Sequence, residues 1–525
     1  MNKTGSDMKL RKMTFFPPFI VLSLIVVVSL ISKDAFLAMI NGVNNWIIAN
    51  VGWMFSIIAV ATVLVAVAAA FSKFGNVRIG GENAKPEIST FSWFTIALTT
   101  TMAAGVLFWG PAEPIAHFSA PPTDLTGIEP MTGAAAKFAM ETMFLHWTFI
   151  PYAIYTVPAV VFGFMYYNAK RPFSIASEVA PALGKFADRK NTAKIIDALT
   201  LFCIGAGMAG SLGQGIMNMS GGISELTGIP SSKGMWLIVA IAIAVIFIAT
   251  AVSGIQKGIK ICADINVYGY VVFLLFLLFF GGTAFVFNLG TEAFGGFLSG
   301  FFDKALLTGA SGESQWPQWW TTFYWASWMA WAPTSGAFMG RIAYGRTVKQ
   351  TLGLYVGVCA MVSALWMILV GGNSLFAQIS GAVDLVGVYN NIGVEAVPYQ
   401  MLRSMPFSQV IIPLFLVLIF LSVVTACNSN MTAMAGISTQ GITPDSPDAP
   451  AWLKITWGVI VMALAYIMIA TVGVNGVKII ANFGGMFASI IMLGATVSCG
   501  ILIFKHKKYD KTLLENQDSK VDIEV

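Results

Sequence analysis

The chain has 525 residues, 57% of them hydrophobic and only 10% charged, where an average soluble domain carries roughly 25% charged residues. Soluble and disordered classes are both excluded, and the net charge of +5 is read as loop topology against anionic lipid rather than as a nucleic-acid surface. The expected fold is an all-α integral membrane protein with lipid as its surroundings.

Apolar runs of about twenty residues, the length that crosses about 30 Å of hydrocarbon, recur twelve times: 14–32, 50–72, 91–110, 138–168, 195–217, 234–253, 264–287, 318–340, 350–371, 408–430, 452–473 and 479–504. The first follows basic residues without a small-residue cleavage site, so it reads as a retained helix. With the N-terminus placed inside, 24 of the 30 Lys and Arg residues fall on that side, and Lys33, Lys137, Lys233, Lys304, Arg403 and Lys478 are scattered one to an outer loop. This asymmetry predicts a multi-pass protein of the cell membrane with both termini cytoplasmic.

Span 3 carries TTTMAAGVLFWGPAEP, in which Gly105, Gly110 and Pro111 loosen a helix, and span 8 carries Pro333 and Gly336. The two interrupted helices are five spans apart, an odd number, so equivalent helices enter the membrane from opposite sides. Inverted-repeat secondary transporters are built this way, with substrate held at the midplane between broken helices. The expected organisation is 1–90 for the N-terminus and two peripheral helices, 91–287 and 318–504 for two inverted five-helix repeats (spans 3–7 and 8–12), 288–317 for an external loop with a surface helix, and 505–525 for a tail.

Span 4 reads FLHWTFIPYAIYTVP, with aromatic rings around Pro151. Span 5 reads GAGMAGSLGQG over 205–215, small residues suited to close helix packing. Span 8 opens on WPQWWTTFYWASWMAWAPTSGAFMGRIAYG, with six of the fifteen tryptophans in sixteen residues. At 3.6 residues per turn Tyr324, Trp328, Trp331 and Ser335 share one face, with Ser327 at its edge. Indole faces attract a weakly hydrated cation, roughly 0.5 to 2 kcal/mol per ring; the alternative, an interfacial anchor, applies above all to Trp316, Trp319 and Trp320.

Other chemistries find no support. Five scattered cysteines imply neither a disulfide framework nor a metal site. His117, His146 and His506 are too few and too dispersed for haem or a metal cluster. Glu113, Glu141, Asp197 and Asp264 sit towards span ends, which disfavours a relay through buried acids. No phosphate-binding loop appears, so ATP-driven transport within this chain is excluded. An enzyme or receptor subunit would call for a buried catalytic group or cofactor ligand, and none is found.

VLFWGPAEPI, FLHWTFIPYAIY, GIQKGIKICADIN and above all WTTFYWASWMAWAPTSGAFMGRIAYGRTVKQ resemble the betaine/choline/carnitine transporters over nearly the whole chain. The resemblance implies twelve helices with spans 1 and 2 peripheral, and a homotrimer. It also implies uptake or exchange, by alternating access, of a small quaternary ammonium or zwitterionic compound such as glycine betaine, choline or carnitine. The family's aromatic box falls on Trp147, Tyr152 and Tyr155 in span 4 and on Ser327, Trp328 and Trp331 in span 8. Ser327 stands where the family usually has a tryptophan, which leaves space and a hydroxyl and keeps open a sulfonated or amino-acid-like osmolyte. The unwound backbone of span 3, Met102, Ala103, Ala104 and Gly105, is the expected partner of the substrate's other end.

The Thr-Ser pair of sodium-coupled members falls on Val424 and Thr425, opposite Met102, and valine offers no side-chain oxygen. Lys260 matches the basic side chain that replaces the ion in the family's exchangers. The expectation is sodium-independent exchange, or sodium as coupling ion at a site with altered ligands; no other cofactor is expected.

Overall fold

The computed structural model describes residues 8–101, 104–189, 191–253, 256–440 and 449–513; the side chains of Ala104 and of 256–260 are outside it. The apolar runs fold as helices, because in hydrocarbon a single segment satisfies its backbone N–H and C=O groups only that way.

The helices α1 (Lys12–Ile31) and α2 (Lys33–Phe71) are separated by Ser32, whose hydroxyl caps α2 through the Ala35 N–H at 3.2 Å. Next come α3 (Thr90–Thr101) and α4 (Ala104–Ser119), whose axes differ by 59°. The chain continues through α5 (Thr123–Thr126), α6 (Gly133–Trp147), α7 (Phe149–Tyr167) and α8 (Ala180–Leu183) into α9 (Thr192–Thr227), α10 (Lys233–Val252) and α11 (Gln256–Phe280). Then follow α12 (Thr283–Ser299) and α13 (Phe301–Ala305). The second half consists of α14 (Phe323–Ile342), α15 (Val348–Leu352), α16 (Ala360–Ile379), α17 (Leu385–Asn391), α18 (Val397–Arg403), α19 (Ser408–Ile437), α20 (Ala451–Val472) and α21 (Val474–Tyr509).

Among the described residues ten spans are long and apolar enough to cross a membrane, and α3 with α4 forms a bent eleventh. The 20-residue α14 falls outside that set. It packs on α7, α9 and α21 in the interior, where it meets protein rather than lipid and tolerates serine, threonine and tryptophan.

The first strand, β1 (Lys9–Leu10), pairs antiparallel with β2 (Thr439–Gln440). Arg11 bridges Asp197 at 2.6 Å, and the Asn168 amide reaches both the Arg78 carbonyl (3.0 Å) and Asp510 (3.2 Å). Both described ends of the chain therefore meet on one face, together with Arg78, Arg346 and Gly345. This is the basic face.

Two helix interruptions differ from expectation. Span 8 was expected to loosen at Pro333 and Gly336, yet α14 runs unbroken through both, and the irregular turn lies earlier, as a π-helical stretch over Gln318–Thr322. The small residues serve packing instead: a methyl at Gly340 would stand 2.3 Å from the Ala159 carbonyl, and one at Gly163 would stand 2.9 Å from the Gly340 carbonyl. The α7 and α14 backbones thus touch through reciprocal glycines. Span 4, by contrast, is not continuous. It breaks at Thr148 (φ −115°, ψ −117°) into α6 and α7.

Candidate functional site

The break at Thr148 positions Trp147. Pro151 has no N–H to give the Trp147 carbonyl, so Ser363 Oγ donates to it instead at 2.7 Å. The neighbouring His146 carbonyl accepts from Trp328 Nε1 at 3.0 Å. A broken helix is thereby satisfied by the elements that complete the site.

These bonds turn the rings edge to face. Trp147 and Trp328 have centroids 5.4 Å apart at 89°, Tyr155 and Trp328 5.6 Å at 77°, and Trp147 and Tyr324 5.2 Å at 68°. With Trp331 they form one wall of a cavity of about 350 Å³, within the range of small-molecule sites. Polar side chains line it too: Thr101, Ser211, Gln214, Asn266, Ser327 and Ser422. The cavity runs on to the exposed Phe338 and Ser429 near the basic face, and the buried Trp109 and Phe323 close its other end.

Of the residues singled out in the sequence, Trp147, Tyr155, Ser327, Trp328, Trp331 and Gly105 line this cavity. Tyr152 sits behind it, in a small adjoining void with Ser363, and its hydroxyl accepts from Thr101 Oγ1 at 3.3 Å. Thr425 lines the cavity, but its hydroxyl donates to the Leu421 carbonyl at 2.7 Å; the neighbouring Val424 is buried away from it. Met102 and Ala103 lie outside the described residues, as do the side chains of Ala104 and Lys260.

Behind the aromatic wall lies a network that the sequence reading missed. Glu113, read there as lying towards a span end, is fully buried within α4. Its Oε2 accepts from Trp147 Nε1 at 2.8 Å and from the Tyr324 hydroxyl; its Oε1 accepts from His146 Nδ1 at 2.7 Å and His117 Nε2 at 3.1 Å. The histidines read as dispersed are therefore two parts of one cluster, because α4 and α6 pack side by side. Their ligand atoms and that of Glu113 lie within 4.8 Å of one another, close enough for a metal ion. Each nitrogen is already engaged, however. Trp316 Nε1 donates to His117 Nδ1 at 3.2 Å, and His146 Nε2 meets Thr321 Oγ1 at 3.1 Å. A hydrogen-bonded network accounts for all the polar atoms without a metal.

Above the closed end sits Lys478, 4% exposed, its Nζ 3.5 Å from the Trp320 ring centroid, 5.4 Å from that of Trp109 and 5.7 Å from that of Phe323. Trp320 is thus a buried partner of a cation rather than an interfacial anchor. Trp316, tied to His117, is half-buried.

The glycine run of span 5 does pack closely, since methyl groups at Gly213 and Gly215 would stand 2.8 Å from Ile469 and 2.5 Å from Val423. Yet the same run delivers Ser211 and Gln214 to the cavity. Two polar residues three apart, and so on one face, were the available signal.

A bundle of apolar helices, a bent pair at its centre and an aromatic-lined cavity reaching one face define a membrane transporter. The profile of the betaine/carnitine/choline family transporters matches residues 13–508, and the chain belongs to that family. It is 26% identical over 510 residues to an ectoine/hydroxyectoine transporter of Virgibacillus pantothenticus, covering 97% of this chain and 99% of that one. It is also 29% identical over 468 residues to a glycine betaine transporter of Bacillus subtilis, covering 88% of each. A probable glycine betaine transporter of Desulfitobacterium hafniense is 29% identical over 463 residues, 88% of this chain and 90% of that one.

Proposed function

We propose that the protein moves a small quaternary ammonium osmolyte across the cell membrane by alternating access, its ammonium head lying against Trp147, Tyr155 and Trp328. The observation that carries this reading is the edge-to-face arrangement of those rings in a cavity of about 350 Å³. Three rings at roughly 0.5–2 kcal/mol each supply about 2–6 kcal/mol before binding costs. Millimolar binding corresponds to about 4 kcal/mol, so the cage accounts for weak affinity and the remainder comes from the other end of the substrate.

The excess of Lys and Arg in the loops supports a cytoplasmic basic face. The described state is then open inward and closed outward beneath Lys478. On coupling, Val424 offers no side-chain oxygen and the Thr425 hydroxyl is spent on its own helix, which favours exchange or an altered sodium site over the usual pair. The homotrimer belongs to the same reading and is tested by the mass of the purified complex.

A second reading, an amino-acid-like osmolyte with N–H groups in place of methyls, is supported by the Ser327 hydroxyl in the cavity and by the similarity to an ectoine transporter. Proteoliposomes loaded with or without counter-substrate, given labelled glycine betaine, choline, carnitine and ectoine with and without a sodium gradient, separate these cases. Uptake of none of them would overturn the substrate class; accumulation driven by sodium alone would overturn the exchange reading.

A further inference from the structure

Gln214 is 5% exposed and lines the cavity from α9, and its amide has no hydrogen-bond partner among the described residues. A methyl at Gly105 would stand 3.2 Å from Gln214 Oε1 and 3.4 Å from Trp147 Cη2. The amide, the first turn of α4 and the edge of the Trp147 ring therefore meet at one point. Ser211, three residues earlier on the same helix, lines the same wall. Asn218, four residues later on that face, is fully buried with both amide atoms unpartnered among the described residues.

Among the described residues that line the cavity there is no lysine, arginine or histidine. An anionic group drawn in beside the cage is then received by neutral donors. The start of the 16-residue α4 supplies the positive end of a helix dipole, and the Gln214 amide turns its NH₂ to an acceptor by rotation about its terminal bond.

We propose that Gln214 is a specificity-determining residue: with Ser211 and the first turn of α4 it receives the anionic end of a zwitterion whose ammonium lies against Trp147, Tyr155 and Trp328. The proposal rests on the reading of the aromatic wall as the ammonium site.

The test uses the full chain in proteoliposomes and compares glycine betaine with tetramethylammonium, which has the same head group and no anion, as competitors for one labelled ligand. Gln214→Leu removes the donor at similar volume. It is expected to shift the ratio of the two inhibition constants against glycine betaine by about tenfold, as for one hydrogen bond to a charged group. Gln214→Glu sets a negative charge against the carboxylate and is expected to abolish glycine betaine competition while tetramethylammonium still competes. A ratio within about twofold of wild type in both variants, a factor too small for such a bond, overturns the assignment. So does equal loss of both ligands from a folded variant. A wild-type chain that binds neither compound fails the ammonium reading itself, an outcome distinct from any behaviour of Gln214.

Discussion

The Trp147 indole N–H and the Glu113 carboxylate are joined by a hydrogen bond of 2.8 Å in the bundle interior. The same oxygen accepts from the Tyr324 hydroxyl, so one buried carboxylate orients two rings of the cavity and sets negative charge behind them. Glu113→Gln keeps the shape but replaces an acceptor-only group by one with an NH₂ that faces donors. Hydrogen bonds to charged groups are worth roughly 1.5–3 kcal/mol, so affinity for a quaternary ammonium ligand is expected to fall by about tenfold or more. Titration by intrinsic tryptophan fluorescence measures this; unchanged affinity would leave Glu113 a packing role only.

Trp328→Ala removes the ring that meets both Trp147 and Tyr155 edge to face, and with it the donor to the His146 carbonyl. One ring accounts for roughly 0.5–2 kcal/mol of cation attraction, a factor of about 2 to 30. Binding is expected to weaken by at least that factor in a protein that still elutes as a single species. Wild-type affinity would remove Trp328 from the cage.

Ser327→Trp restores a ring at the cavity edge and takes up part of its volume. The ranking of betaine, choline, carnitine and ectoine in a competition assay is expected to change, bulkier ligands losing most. An identical ranking would mean that position 327 does not meet the ligand.

Lys478→Met keeps the side-chain stem and deletes the ammonium held over Trp320, Trp109 and Phe323. The closed end of the cavity then loses a contact that ties α4 and the lead into α14 to α21. In a background lacking the native cysteines, a Ser327→Cys reporter is expected to react several-fold faster with an impermeant thiol reagent applied opposite the basic face. Lys478→Arg, which retains the cation–π contact, is expected to restore slow labelling. Equal rates in all three proteins would show that the ammonium plays no part in closure.

Glu178 lies in the loop before α8, fully buried, with both carboxyl oxygens unpartnered among the described residues. Burial first, and then the negative charge of Asp197, which is itself paired with Arg11, hold its pKa well above the usual 4.5. The folded state therefore binds this proton more tightly than the unfolded chain. Its contribution is fully present below about pH 4.5 and is lost as pH rises towards the raised value. Glu178→Gln is expected to flatten the decline of thermal stability as pH rises above about 4.5, measured in detergent. A decline as steep as that of wild type would rule out this carboxyl as its source.

Hydropathy and charge determined that the chain crosses a membrane many times as helices, and loop arginines and lysines marked the face on which its ends meet. The aromatic periodicity of 324–335 was legible too, because a helix places residues three and four apart side by side whatever surrounds it. Other features depended on which helices are neighbours. Glu113 and His146 are 33 residues apart, and only the packing of α4 on α6 makes them partners. Lys478 and Trp320 are farther apart still in sequence, and only the seating of α21 beside the closed end of the cavity brings a cation onto that ring. Gln214 was visible as a polar residue in a glycine run, but its amide, unpaired among the described residues, became meaningful only when Gly105 and Trp147 were found against it. Periodicity is a property of one helix and is written in its sequence. Partnership between side chains on different helices is set by how close their backbones come, and tertiary packing decides that distance.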